Sequence, residues 1–157
     1  MILYHGTNID FEKIELAKCR PNKDFGQGFY LTDLYSQAKQ MSVRRCEFEG
    51  IGTPVVQTYE FDESVLNTTE LNIKIFEGVS AEWAEFILLN RKARGQKMHE
   101  YDIVVGPVAD DGVVFQLNLY MQHLISIEML VKELTYKQLN NQYFFGTEKA
   151  LIKLTKL

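Results

Sequence analysis

The side chains with chemistry to offer fall in three short stretches. Leu3-Tyr4-His5-Gly6-Thr7 is an apolar run that ends in an imidazole, a glycine and a hydroxyl. Asp24-Phe25-Gly26-Gln27-Gly28-Phe29-Tyr30-Leu31-Thr32 holds two glycines one residue apart, then a short aromatic and aliphatic run. Asn140-Asn141-Gln142-Tyr143-Phe144-Phe145 is a polar entry into an aromatic strand, with Gln142 near its start. A glycine has no Cβ, so a ligand can approach the main chain closely beside it. An imidazole both donates and accepts hydrogen bonds, and Tyr30 presents a flat ring next to accessible backbone. Such a set leaves room for a ligand beside the backbone; each stretch alone is also what a turn and a core strand require.

Two further groups stand out. Arg91 continues the apolar stripe Trp83, Ala84, Ile87 and Leu88, which aims a guanidinium near the buried side of its helix. It either snorkels, its stem covering apolar surface, or is held for an anion or a structural carboxylate. Asp110-Asp111-Gly112 reads as a metal or catalytic pair, and also as the turn chemistry that precedes a helix. Cys19 and Cys46 form no CxxC pattern, so neither a zinc site nor a disulfide scaffold is implied and no metal is assigned. His99 and His123 are given no role.

Elements that would position these groups follow from hydrophobic periodicity and stop signals. Strands are expected at residues 1–5, at Phe29–Leu31, from Pro54 to Asp62 with Gln57 and Glu60 on a wet face, at Tyr101–Val105 stopped by Gly106-Pro107, and at Tyr143–Phe145, while Leu71–Phe76 reads as another strand or an edge element. Helices are expected after an Asp33 cap up to Gly50, after Ser80 up to Gly95, from Ser126 to Leu134, and after Thr147 through Leu154. Residues 113–123 read as a helix or a short strand. Strands and helices mix without regular βαβ alternation, which gives an α+β class with mostly antiparallel pairing.

At 157 residues and 46% hydrophobic content, the chain has room for one domain, 1–157, with one core. Seventeen basic and twenty-one acidic residues give a formal charge of −4, which argues against a surface built around nucleic-acid phosphates. No basic leader and no run of eighteen apolar residues is present, so a cytoplasmic protein without a membrane span is expected.

Together, His5-Gly6-Thr7, Gly26-Gln27-Gly28-Phe29-Tyr30 and Asn141-Gln142-Tyr143 resemble the ADP-ribosyltransferase superfamily, in the branch shared by diphtheria-type toxins and poly(ADP-ribose) polymerases. Its signature is a strand ending in His-Gly-Thr, a Gly-x-Gly-x-Tyr strand, and a glutamate on a late strand. The chain is also similar, from Leu3 to Leu151, to a small bacterial family of about this length, through Gly28–Thr32, Asn90-Arg91, Asp102–Asp111 and Asn141–Phe145. Two departures are visible. Gln142 stands where the glutamate would fall, and Met41 stands near the place of a second tyrosine.

The resemblance implies two mostly antiparallel sheets, flanked by helices, that form an NAD-binding cleft. His5, Tyr30 and Gln142 would be the catalytic set, and His5, Gly6, Thr7, Gly28, Tyr30 and Arg91 would bind NAD. His5 would hydrogen-bond ribose hydroxyls, the Gly6 backbone would pair with the carboxamide, and Tyr30 would stack on nicotinamide. Gln142 keeps a hydrogen bond at the third position and lacks the charge; Glu148, Asp110 or Asp111 would have to supply it. The implied activity is NAD-dependent mono-ADP-ribosyl transfer, a glycosyltransferase reaction, to an intracellular protein or nucleic acid. Such an enzyme could be the toxin of a toxin-antitoxin pair, with a small antitoxin protein as partner. The alternatives are an NAD or ADP-ribose binding module without chemistry, and simple hydrolysis of NAD.

Overall fold

A computed structural model describes residues 1–135 and 139–157. Its frame is one seven-stranded sheet in the order β4-β5-β6-β2-β1-β3-β7. The strands are β1 (Ile2–Thr7), β2 (Phe29–Thr32), β3 (Val55–Phe61), β4 (Ile73–Ile75), β5 (Ile103–Pro107), β6 (Asn141–Phe145) and β7 (Leu154–Lys156). All neighbours pair antiparallel except β4 with β5. The α+β class and the mostly antiparallel pairing therefore hold. The expectation of two sheets is corrected to one, although its central joint is thin: β1 and β2 pair at the single position Tyr4↔Thr32.

Helices α1 (Tyr35–Glu49), α2 (Ala81–Arg91), α3 (Asp111–Met121), α4 (Ile127–Thr135) and the short α5 (Glu148–Leu151), with 3-10 turns at Leu16–Lys18 and Glu63–Asn67, complete the described elements. Hydroxyl and carboxylate caps set most of their starts: Ser80 accepts from Trp83 N–H, Asp110 from Val113 N–H, Ser126 from Met129 N–H and Thr147 from Ala150 N–H. Asp33 does not cap α1. Leu34 is the cap residue, and its N–H is taken instead by Thr32 Oγ1 at 3.1 Å.

Period-two alternation sorts the strands onto two faces. One face buries Leu3, Phe29, Leu31, Tyr59, Phe61, Ile103, Val105, Tyr143 and Phe145. Gln57 joins that face as a buried residue, contrary to the wet face expected of it, because it is fully partnered. Its Nε2 donates to Asp10 Oδ1 and Phe11 O, and its Oε1 accepts from the Tyr59 hydroxyl. The opposite face of β5 and β6 carries Val104 and Phe144 under α2, α3 and α4, with Trp83, Ile87, Leu117 and Leu130 at the centre. There α1 covers β1: a Cβ on Gly6 would lie 2.0 Å from the Ala38 carbonyl oxygen.

Two boundaries differ from expectation for tertiary reasons. The chain after Leu151 leaves α5 and forms β7, which pairs with β3, where a longer terminal helix was expected. β5 runs on through Gly106 and Pro107 because β6 supplies partners for both, Gln142 and Asn141. No helix among the described residues is long and apolar enough to cross a membrane.

Candidate functional site at the seam between β1 and β2

The site begins with the way β1 is bonded. Met1 and Phe61 exchange both backbone hydrogen bonds, at 2.7 and 3.0 Å. Antiparallel alternation then turns the backbone groups of Leu3, His5 and Thr7 toward β3, and those of Tyr4 and Gly6 toward β2. Tyr4 finds Thr32 there. Beyond it the ladder stops, and Gly6 has no partner on β2.

His5 explains why. Its Nδ1 lies 2.8 Å from the carbonyl oxygen of Tyr30, the group that would accept from Gly6 N–H if pairing continued. A carbonyl only accepts, so Nδ1 carries the proton and Nε2 presents a lone pair. No described residue bonds that Nε2. The imidazole packs against Phe29, ring centroids 4.4 Å apart, and Phe11, at 5.9 Å. Burial lowers its pKa from 6.5 to about 4, Arg45 and Lys23 push the same way, and the Tyr30 carbonyl opposes them. His5 is therefore a neutral wedge that holds β1 off β2 and leaves the Gly6 edge open.

Tyr30 sits one strand over, on the opposite face from the imidazole. Its hydroxyl donates to Gly26 O at 2.8 Å and accepts from Phe25 N–H at 2.9 Å, so the phenol pins its own turn. Its ring stacks on Phe25 and meets Phe144 edge-on. Burial raises its pKa well above the ordinary value, which keeps the hydroxyl protonated. Gly28 is dictated by packing: a Cβ there would lie 2.2 Å from the Phe144 ring. Thr7 is buried and turns its hydroxyl to the backbone of Ile9.

Gln142 lies on β6 opposite Thr32, on the Tyr30 face. Its Nε2 donates to Asp24 Oδ2 at 2.9 Å and more weakly to Pro107 O at 3.4 Å. Arg91 grips the other oxygen of the same carboxylate, with Nε at 2.8 Å and Nη2 at 2.5 Å from Asp24 Oδ1. Of the partners open to Arg91, it takes the structural carboxylate. Beside this trio, Asn140 bonds both Gln37 and Thr32, so a polar strip runs between α1 and the helices over β5 and β6.

His5, Tyr30 and Gln142 thus stand on three adjacent strands, β1, β2 and β6. Tyr30 and Gln142 share a face, while the His5 ring reaches the seam from the other. Glu148 lies past the far end of β6 from Gln142, in the first turn of α5. Asp110 and Asp111 follow β5 at the same end as Gln142, and the Asp110 carboxylate caps α3. Asp24 is the residue that sequence reasoning passed over. The signal lay in Arg91, whose inward aim calls for a buried acid.

Residues 1–156 match a family described as "Protein of unknown function (DUF3990)". The chain belongs to that family. No curated protein and no solved structure matches it. Membership covers all three strands of the seam and the Asp24–Arg91–Gln142 trio.

Proposed function

We propose that the seam is an NAD site and that the chain is a mono-ADP-ribosyltransferase. The observation that carries this reading is the single-pair joint between β1 and β2, wedged by a neutral His5, with the Gly6 backbone edge facing β2 unpaired among the described residues. A free N–H beside a free C=O on one residue is the complement of a carboxamide, which offers one acceptor and two donors. The lone pair on His5 Nε2 suits a ribose hydroxyl. Lys23 and Arg45 bear on the same imidazole and favour an anionic, pyrophosphate-bearing ligand.

In this reading the bond from ribose C1′ to the nicotinamide nitrogen breaks with its electron pair leaving on nicotinamide. Positive charge grows on the ribose, and the Gln142 Oε1 accepts a hydrogen bond from a ribose hydroxyl that strengthens as it does. An acceptor nucleophile then bonds to C1′ and loses its proton. The acceptor is an intracellular protein or nucleic acid, and restraint of a toxic activity by a small antitoxin fits the same reading.

A second reading, reversible binding of NAD or ADP-ribose, is favoured by the neutral amide at Gln142 and by the neutralising Arg91 beside Asp24. Incubation with NAD labelled in the adenosine half separates the two. Nicotinamide release with label on a macromolecule supports the transferase, and retention of intact NAD supports the module. The absence of both release and binding would remove the seam from consideration as an NAD site.

A further inference from the structure

The amide at position 142 has a chemical reason. Both groups that Nε2 faces, the Asp24 carboxylate and the Pro107 carbonyl, are acceptors, so the carboxamide can take only one orientation. Its Oε1 then points away from Asp24 and has no hydrogen-bond partner among the described residues. A carboxylate at 142 would instead stand about 3 Å from the Asp24 carboxylate, and like charges that close disfavour ionisation of both. Arg91 offsets this only in part, because its two nitrogens lie on the far oxygen, Oδ1, and already serve the Asp24 charge.

We infer that Asp24 is a positioning residue: clamped by Arg91, it locks the Gln142 carboxamide with Oε1 toward the ligand, so that the third position offers a neutral acceptor to a sugar hydroxyl. A negative charge, that of Asp24, stands one hydrogen bond behind that acceptor. This inference rests on the NAD reading for its ligand, and on the protein alone for its geometry. It requires that amide and acid be exchangeable only as a pair.

The experiment compares wild type, Asp24→Asn, Gln142→Glu and the double variant Asp24→Asn/Gln142→Glu. Two quantities are read: the pKa of the carboxyl introduced at position 142, by NMR titration without ligand, and nicotinamide release from NAD. In Gln142→Glu the new carboxyl should titrate at least one pH unit higher than in the double variant, where the amide introduced at position 24 donates to it. Nicotinamide release should fall at least tenfold in each single variant and recover at least tenfold in the double. Thermal melting checks that each variant is folded, and the carboxyl titration needs only the two variants that carry the Gln142→Glu change. Equal pKa values for that carboxyl in the single and double variants would overturn the inference, whatever NAD does. A raised value in the single variant with no release from any of the four proteins would uphold the Asp24–Gln142 lock and defeat the transferase reading.

Discussion

His5 shows how one side chain can shape a backbone. Its proton satisfies the Tyr30 carbonyl, so β2 keeps no orphan acceptor at that position while the Gly6 edge of β1 stays open. The depressed pKa has a consequence for stability. Unfolded His5 titrates at its ordinary 6.5 and folded His5 at about 4, so the unfolded chain binds more protons between those values. The stability that this neutral imidazole contributes is complete above pH 6.5 and is lost as pH falls from 6.5 toward 4, by up to about 3 kcal/mol. Urea unfolding at pH 7 and pH 4.5, followed through the buried Trp83, should show a larger drop for wild type than for His5→Asn. Arg91→Ala should cost roughly 2 to 4 kcal/mol in the same assay, somewhat below a fully buried pair, because it leaves the Asp24 carboxylate uncompensated.

Elements obeyed local rules where the rules had no competitor. Ser80, Ser126 and Thr147 start helices α2, α4 and α5, and the Asp110 turn starts α3, because a side-chain oxygen there meets free N–H groups. The failures have tertiary causes. Leu154 to Lys156 carry no strand pattern of their own, yet the open edge of β3 pairs with them. Asp33 does not cap α1, whose cap residue Leu34 donates its N–H to Thr32 Oγ1. Gly6 and Gly28 were legible as close approaches, but the bodies that approach are α1 and Phe144, which no local pattern reveals. Gly6→Ala should therefore destabilise by about 1 to 3 kcal/mol or more through overpacking, since the obstructing atom is the Ala38 backbone carbonyl. A lowered melting temperature checks this, and an unchanged one would mean that α1 stands farther from β1.

Across the whole molecule, the sheet divides at its weakest joint. β1, β3 and β7 form one block, and β2, β6, β5 and β4 the other, with Tyr4↔Thr32 between them. The class, the three strands and their candidate residues could be read from glycine, aromatic and alternation signals. The splay of β1 from β2, the opposed faces of His5 and Tyr30, and the Asp24 clamp could not, because each depends on pairing between distant segments. Hydrogen exchange should register the joint: the Gly6 amide should exchange well before those of His5 and Leu3, which the β3 ladder protects. Similar rates at all three would mean that the seam is closed in solution. The most direct test of the NAD reading is a structure of wild-type protein with NAD. The nicotinamide carboxamide should lie about 3 Å from the Gly6 N–H and C=O, with ribose hydroxyls at His5 Nε2 and Gln142 Oε1. NAD bound away from Gly6, or a seam that admits none at saturating concentration, would contradict it.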